Sequence, residues 1–328
     1  MQFSKRVITL SAHPRRRYIN CKAENMHKIA LITNNQKSSS ALKVLLWGLV
    51  AFFVAACNPA TESNTASMPV SATPADANDK PLEPIRYNEF IWCSNGENAT
   101  TESLAARQAH WLDAVAKLDE SNFASASLSP SGWESDDFNR LTLLMWPNKE
   151  VRNAGWASYE ASGIEEDLAA TFPGVESCGG TNWSNIYGFD VYQPRAPSQP
   201  GLAPDAVGYA GYQFCSFNEG MKPADLRAVV RGDYMDFLSA FESEVGPTTY
   251  NFTVQIPDFD SAAVERHNEV PPQFDLLWSN FWGDKTQKPI GYSACQKCGS
   301  EIQNAFDQVM TCSDEQGYDI VLVRPRPA

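Results

Sequence analysis

The 328-residue sequence predicts an α+β fold built from two consecutive units that share one order of elements. Aromatic and cysteine landmarks recur in the same order in both halves of the chain. Each half also reads as strand, helix, strand, strand, helix, strand. A stretch rich in Pro, Gly, Ala and Ser separates the halves. We therefore assign 85–195 to the first unit, 196–206 to a linker and 207–328 to the second unit.

The internal repeat depends on several short matches that keep their order along the chain. The segments that return in the second half are 90–94 as 213–216, 111–113 as 234–236, 141–147 as 253–257, 155–159 as 277–281, Cys178 as Cys312 and 191–195 as 321–326. Ordered matches of this kind indicate a tandem duplication better than any single match does.

Hydrophobic periodicity predicts the individual elements. In the first unit we expect strands near 87–93, 139–146, 153–160 and 185–193, and helices near 101–120 and 164–171. In the second unit we expect strands near 208–216, 249–256, 274–282 and 317–324, and helices near 223–243 and 300–310. Pro223 stands at the start of its helix, a position that tolerates proline.

This order of elements resembles the ferredoxin-like βαββαβ unit. Two such units in one chain resemble a fused version of the dimeric α/β barrel, in which two antiparallel sheets pack face to face. The resemblance covers most of 85–328 and implies a fold, whereas such folds carry unrelated activities.

The ferredoxin-like resemblance also implies a disulfide pattern. Its first and fourth strands are antiparallel neighbours, and Cys93 ends a first strand while Cys178 precedes a fourth strand. Cys215 and Cys312 have the same places in the second unit. We therefore predict the pairs Cys93–Cys178 and Cys215–Cys312, out of fifteen pairings that six cysteines allow.

The remaining pair, Cys295 and Cys298, precedes a predicted helix. A local structural disulfide is the favoured interpretation, and a redox pair is the alternative. No zinc site is predicted, because a fourth ligand with suitable spacing is missing.

The segment 44–56 is a run of 13 uncharged, mostly apolar residues after Lys37 and Lys43. It is too short for a transmembrane helix but typical of a signal peptide. Its end, Val54-Ala55-Ala56-Cys57, resembles the bacterial lipobox. The resemblance implies cleavage before Cys57 and a lipid anchor on that cysteine. In the lipoprotein family that this motif resembles, Asp after the cysteine favours the inner membrane, so Asn58 implies the outer membrane, with the globular part in the periplasm or at the cell surface.

We accordingly expect 1–56 to be a signal region and 57–84 a lipidated flexible tether, rich in Ala, Ser, Thr, Asn and Pro. Residues 1–25 fit no signal pattern, and we expect translation to begin at Met26. Residues 1–56 hold nine of the 26 basic residues and one of the 39 acidic ones, which leaves a formal net charge of −21 for the remainder. This charge argues against nucleic acid as a partner.

Aromatic residues suggest a ligand site. If 153–160 and 274–282 are strands, alternation places two sets of aromatic and polar side chains on single faces. The candidate ligand-binding residues are Trp146, Trp156, Ser158, Glu160, Trp278, Asn280 and Trp282. The alternative is that these tryptophans form the core between sheet and helices.

Two functions follow as hypotheses. The first is a membrane-anchored lipoprotein that binds a small ligand or a protein partner without turnover. The second is a cofactor-free enzyme of the dimeric α/β-barrel kind, which performs proton transfer or oxygenation with Glu160 or His110 as the base. No metal or cofactor is predicted. A cavity with an ionisable group against indoles would favour the enzyme, and a filled sheet–helix interface would favour the first hypothesis.

Overall fold

The computed structural model describes residues 83–179, 186–199, 201–204, 206–259, 273–298 and 300–327. Only the backbone is described for 186, 294–298 and 300. The predicted lipobox with Cys57, almost all of the predicted tether and His267 lie outside the described residues. Within the described ranges, no helix has the length and apolar character that a membrane span requires.

The described residues of the first half form five strands and three helices. They are β1 (Arg86–Asn95), α1 (Thr101–Val115), β2 (Ala124–Pro130), β3 (Arg140–Trp146), α2 (Lys149–Ser162), α3 (Ile164–Thr171), β4 (Glu176–Cys178) and β5 (Ile186–Tyr192). Thr100 caps α1, since its hydroxyl accepts a hydrogen bond from the Ser103 amide.

The second half follows a similar course. Its elements are β6 (Val207–Phe217), α4 (Pro223–Val229), a π-helical turn (Val230–Tyr234), α5 (Met235–Val245), β7 (Tyr250–Pro257), β8 (Leu276–Trp282), a 3₁₀ turn (Lys285–Gln287), α6 (Lys288–Cys298), α7 (Ser300–Val309), β9 (Met310–Cys312) and β10 (Gln316–Arg324).

Eight of the strands form a closed ring. Their order is β2-β3-β1-β5-β7-β8-β6-β10, and β10 pairs again with β2. Neighbouring strands are antiparallel, and the short strands β4 and β9 extend from β1 and β6. The α+β class and the antiparallel order agree with the prediction. The two sheets expected to pack face to face are instead joined at both edges, because β5 pairs with β7 and β10 pairs with β2.

The barrel has an inner core and two outer cores. Along β1, side chains alternate, so Phe90 and Trp92 point into the barrel while Ile91 points toward the helices. The inner core is strongly aromatic, with Phe189 and Tyr212 both in edge contact with Phe90. The helices α1, α2 and α3 cover the outer face of the first half, and α4 to α7 cover that of the second.

The predicted strand at 153–160 is wrong, because these residues belong to α2. Asn148 caps this helix by accepting from the Val151 amide, and Gly163 in the left-handed conformation ends it. Trp156 and Tyr159 favour strands by propensity, but tertiary packing of the helix outweighs that preference. The strand that the prediction missed is β2, whose sequence Ala-Ser-Ala-Ser-Leu-Ser-Pro is weakly apolar.

The helical conformation also corrects the predicted repeat. Since β3 and β8 have the same place in their halves, Trp146 corresponds in position to Trp282, and the match of 155–159 with 277–281 does not hold. A glycine packs against each of these two tryptophans. A Cβ atom on Gly155 would lie 2.4 Å from the Trp146 ring, and one on Gly291 would lie 2.2 Å from the Trp282 ring.

We expect Gly155→Ala to lower the free energy of unfolding by about 1–3 kcal/mol, because the added methyl group must displace the buried Trp146 indole or the helix. The matched control is Gly232→Ala in the π-helical turn, where an added Cβ meets nothing within 4 Å. It should be neutral or stabilising by up to about 1 kcal/mol. Urea unfolding of both variants checks the difference, and equal stabilities would contradict the packing argument.

Both predicted disulfides are present. Cys93–Cys178 joins β1 to β4, and Cys215–Cys312 joins β6 to β9. In each case the two cysteines are directly opposed in an antiparallel register. Cys295 and Cys298 lie in α6, but their side chains are outside the described residues, so their pairing stays a prediction.

The linker is held against the second half. Arg195 and Ser198 both donate hydrogen bonds to the carboxylate of Glu242 on α5, and Thr248 donates a third. Burial favours the neutral form of Glu242, but these three donors outweigh it and lower the pKa of the carboxyl group. The contact ties the end of the first unit to the second.

Candidate functional site

Two cavities lie between the outer face of the barrel and its helices, one in each half. The first cleft, of 260 Å³, is enclosed by β1, β2 and β3 on one side and by α1, α2 and α3 on the other. The second cleft, of 170 Å³, has the corresponding place between β8 and the helices α5, α6 and α7. The sheet–helix interface of the first half is therefore incompletely filled.

One end of the first cleft is apolar and aromatic. Trp146 and Phe123 form its buried wall, while Trp111 from α1 and Trp156 from α2 close it from the helix side. Tyr159 packs edge-on against Trp156 and donates a hydrogen bond to Glu165. Burial and the neighbouring Glu165 raise the pKa of Tyr159, so this hydroxyl stays protonated and acts as a donor.

A buried carboxylate supports this aromatic end. Glu89 on β1 is fully buried, and its Oε2 accepts hydrogen bonds from the indoles of both Trp146 (2.9 Å) and Trp156 (2.8 Å). Its other oxygen accepts from Arg152 Nε at 2.6 Å. Glu89 thus fixes the orientation of both rings. Our sequence reasoning missed it, since an acidic residue within an apolar strand was the only available signal.

The opposite end of the first cleft is cationic. Arg140 at the start of β3 donates to both oxygens of Glu176, at 2.6 and 2.7 Å, and to the Thr142 hydroxyl at 2.6 Å. Arg107 from α1 donates to the same carboxylate at 3.0 Å. Two guanidinium groups therefore share one carboxylate whose side chain is 2% exposed. Sequence reasoning missed all three residues, which come from separate elements.

Ser125 also lines the first cleft. Its side chain points outward from β2, and its residue is fully buried. Its Oγ has no hydrogen-bond partner within the described part of the protein. A buried hydroxyl without a partner is unusual in a native structure, and its position places it within reach of whatever fills the cleft.

The second cleft contains a chain of polar contacts. Tyr234 and Tyr250 share a hydrogen bond of 2.5 Å, and Tyr250 donates to Asn280 Oδ1 at 2.9 Å. Trp278 Nε1 donates to the same oxygen at 3.1 Å, and Asn280 Nδ2 donates to Glu315 at 3.2 Å. Its polar groups are thus largely engaged with one another.

Glu315 is the partly buried carboxylate of the second cleft. It accepts from Tyr209 at 2.7 Å and from Tyr292, and Lys288 lies 3.9 Å away. Burial and the Glu315 charge raise the pKa of Tyr209. Burial lowers the pKa of Lys288, whose Nζ lies 3.3 Å from the centre of the Tyr209 ring.

The structure separates the predicted site residues into three groups. Trp146, Trp156 and Glu160 line the first cleft, with Glu160 exposed at its edge. Trp278, Asn280 and Trp282 line the second cleft from one face of β8, as the strand alternation predicted.

Ser158 and His110 line neither cleft. Ser158 shares no face with Trp156, because on a helix a two-residue step turns the side chain by about 200°. His110 is bonded to Asp167 at 2.6 Å and packs on Phe172, so it is turned away from the cavity. The predicted binding role of Ser158 and the predicted catalytic role of His110 both require a shared face or pocket with the indoles, which the structure does not provide.

The described residues contain one group of side chains spaced closely enough for a metal ion: Cys93, Glu176 and Cys178. Both sulfurs are in the Cys93–Cys178 disulfide, and Glu176 is bonded to Arg107 and Arg140. Thiolates are the sulfur ligands of metals, so this group does not offer a metal site.

No protein-family profile and no curated protein sequence matches the chain. Among solved structures, a haem-binding protein from Thermus thermophilus is 12% identical with a TM-score of 0.41, over 72% of this chain and 90% of that one. A putative monooxygenase from Lactobacillus acidophilus is 9% identical with a TM-score of 0.41, over 73% of this chain and 94% of that one.

A chlorite dismutase variant from Candidatus Nitrospira defluvii is 10% identical with a TM-score of 0.42, over 76% of this chain and 96% of that chain. A likeness at this level carries no information about activity. A function for this protein must therefore be inferred from the side chains that line the two clefts.

Proposed function

We propose that this protein binds a small organic molecule in the first cleft. The observation that carries the proposal is an unfilled cavity of 260 Å³ in an interface that would otherwise be close-packed. Ligand sites are typically such cavities, lined by apolar and aromatic side chains with a few polar groups. The buried Glu89 carboxylate holds the Trp146 and Trp156 rings in fixed orientations, which favours a preformed site.

We further propose that the domain is tethered to the outer membrane through a lipid on Cys57. The support is the basic leader, the apolar run and the lipobox-like Val54-Ala55-Ala56-Cys57. The two disulfides suit an exported protein.

The shared strand order of the halves and their matched disulfides support the proposal that the chain arose by tandem duplication of a ferredoxin-like unit.

A second candidate function is cofactor-free proton transfer or oxygenation in the same cleft. It is favoured by Glu160, a carboxylate that lines the cavity and has no hydrogen-bond partner among the described residues. Glu89 is a weaker candidate base, because three donors already occupy its oxygens. His110 is outside the cleft.

Haem is not proposed as a ligand. Histidine, cysteine thiolate, methionine and tyrosine are the usual axial ligands of haem. Among the described lining residues of the first cleft there is no histidine or methionine, Cys178 is in a disulfide, and the Tyr159 hydroxyl is engaged with Glu165. These donors do not fit the group.

Native mass spectrometry of the purified protein, without added ligand, tests the proposal. We expect a stoichiometric extra mass on the wild-type protein that is absent from Gln108→Trp, because Gln108 is an exposed residue of the first cleft and an indole there would fill it. Gln303→Trp, at the second cleft, is the matched control and should keep the extra mass. Loss in Gln303→Trp alone would move the site to the second cleft.

A protein that carries no extra mass and binds no member of a library of small aromatic compounds would overturn the proposal. The cavity would then be a packing defect, and a protein-binding role would replace the small-molecule role. If the bound compound is recovered chemically changed, the second candidate is correct, and Glu160→Gln should abolish the change while leaving the extra mass in place.

A further inference from the structure

The first cleft changes its character along its length, and this gradient identifies a ligand class. Resting on the proposed function, we infer that the molecule is an organic acid, with its anionic group at Arg107 and its apolar body between the tryptophans. Each part of this assignment follows from side chains that line the cleft.

Strand β3 sets the direction of the gradient. Its outward-facing residues line the cleft in the order Arg140, Thr142, Leu144 and Trp146. At about 3.3 Å per residue, the two ends are roughly 20 Å apart between Cα atoms. A ligand lying along β3 therefore meets a guanidinium group at one end and an indole at the other, which matches an amphiphilic molecule rather than a uniformly polar one.

The cationic end carries an excess positive charge. Glu176 is the one carboxylate that Arg107 and Arg140 contact within the described part of the chain, so two positive charges face one negative charge. The Arg107 side chain is 9% exposed, and a buried charge normally requires full pairing. An anionic group on the ligand would supply the charge that is missing.

Arg107 has the free donors that such a group needs. The donors of Arg140 are engaged, since Nε and Nη2 bind Glu176 and Nη1 binds Thr142. Toward the described residues, Arg107 donates through Nη1 alone. Its Nε and Nη2 form one side of a planar fork, the geometry that binds the two oxygens of a carboxylate or sulfonate.

Ser125 is a second, independent observation that points to a ligand. Its fully buried Oγ has no hydrogen-bond partner among the residues that the structure describes, and Ser125 lines the same cleft, so this hydroxyl can donate to an acceptor on the ligand. The acidic residues of the cleft do not oppose an anion strongly. Glu120, Glu160, Glu165 and Glu166 are all exposed, so solvent screens their charges.

Two fluorescent probes separate the anionic group from the apolar body. 8-Anilinonaphthalene-1-sulfonate carries a sulfonate, and N-phenyl-1-naphthylamine has the same ring system without it. We expect the wild-type protein to bind one molecule of the sulfonate per chain. Its affinity for the sulfonate should be at least about tenfold higher than for the neutral amine, because hydrogen bonds to charged groups contribute more binding free energy than those between neutral groups. Gln108→Trp should abolish binding of both probes.

The decisive variant is Arg107→Gln. It should weaken binding of the sulfonate by about ten- to a hundredfold and leave the affinity for the neutral amine unchanged. The matched control, Arg227→Gln, removes the same charge from α4 outside both clefts and should change neither affinity. Near-ultraviolet circular dichroism confirms that each variant keeps its tertiary packing, since loosely packed proteins bind the sulfonate without specificity.

The outcomes distinguish this inference from the proposed function. If neither probe binds, the proposed function fails. If the neutral amine binds as tightly as the sulfonate, or Arg107→Gln weakens both equally, the site exists but its ligand is not an acid.

If Arg107→Gln does not fold, Arg107→Lys replaces it. Lysine keeps the charge but not the fork, so it should weaken the sulfonate by less than glutamine would, and an unchanged affinity would overturn the role of the fork.

Discussion

Replacing Glu89 by leucine is expected to lower the free energy of unfolding by about 3–5 kcal/mol. The substitution removes the carboxylate that pairs with Arg152 and that accepts hydrogen bonds from the indole N–H groups of Trp146 and Trp156. Trp146 is almost fully buried, so its unpaired N–H cannot recover a bond to water. Urea unfolding with an unchanged m-value gives the measurement.

A double-mutant cycle with Arg152→Met isolates the charge pair within this cluster. Arg152→Met alone leaves the fully buried Glu89 carboxylate with only the two indoles, and it should also destabilise the protein. The double variant Glu89→Leu/Arg152→Met should be more stable than the sum of the single effects predicts, because neither charge is left alone. Strictly additive effects would show that the two side chains act independently.

The second large effect is expected from removing the disulfide Cys215–Cys312. Its cysteines are 97 residues apart, and closing a loop of this length stabilises a protein by up to about 4–5 kcal/mol in the chain-entropy model. The variant Cys215→Ala/Cys312→Ala should therefore lose several kcal/mol, and Cys93→Ala/Cys178→Ala, with a separation of 85, should lose nearly as much. Guanidinium unfolding of the variants checks both values.

Cys295→Ala/Cys298→Ala serves as the control for the disulfide prediction. A bond between cysteines three residues apart would close a very short loop, so its removal should have a clearly smaller effect than either long-range pair. A loss below about 1 kcal/mol for Cys215→Ala/Cys312→Ala would contradict the entropic argument. It would mean that the unfolded chain keeps enough residual structure without the bond that the bond removes little of its conformational entropy.

The second half of the fold was predicted more accurately than the first. The strands near 208–216, 249–256, 274–282 and 317–324 correspond to β6, β7, β8 and β10, because each carries an apolar or aromatic alternation that is local to the strand. In the first half, β2 alternates apolar with polar residues, but two of its three alternating apolar residues are small alanines, so the pattern is only a weak strand signal. The segment 153–160 has strand-forming aromatic residues inside a helix.

The candidate site was predicted only in part. Trp278, Asn280 and Trp282 line one cleft because they alternate along a single strand, which the sequence shows directly. The first cleft depends on contacts between distant residues. Glu89 and Trp156 are 67 residues apart in the sequence, and Arg107 and Glu176 are 69 residues apart. No local sequence pattern therefore predicts either contact.

The amino-acid sequence by itself determined the α+β class, the four long strands of the second half and the pairing of four cysteines. These features follow from short-range periodicity and from the neighbour relation of first and fourth strands in a ferredoxin-like unit. Only the tertiary structure decided that the two sheets close into one barrel and that the first sheet–helix interface stays open. Closure and cavity volume depend on how side chains from many elements fill a shared space, and packing of that kind has no counterpart in the pattern of any single segment.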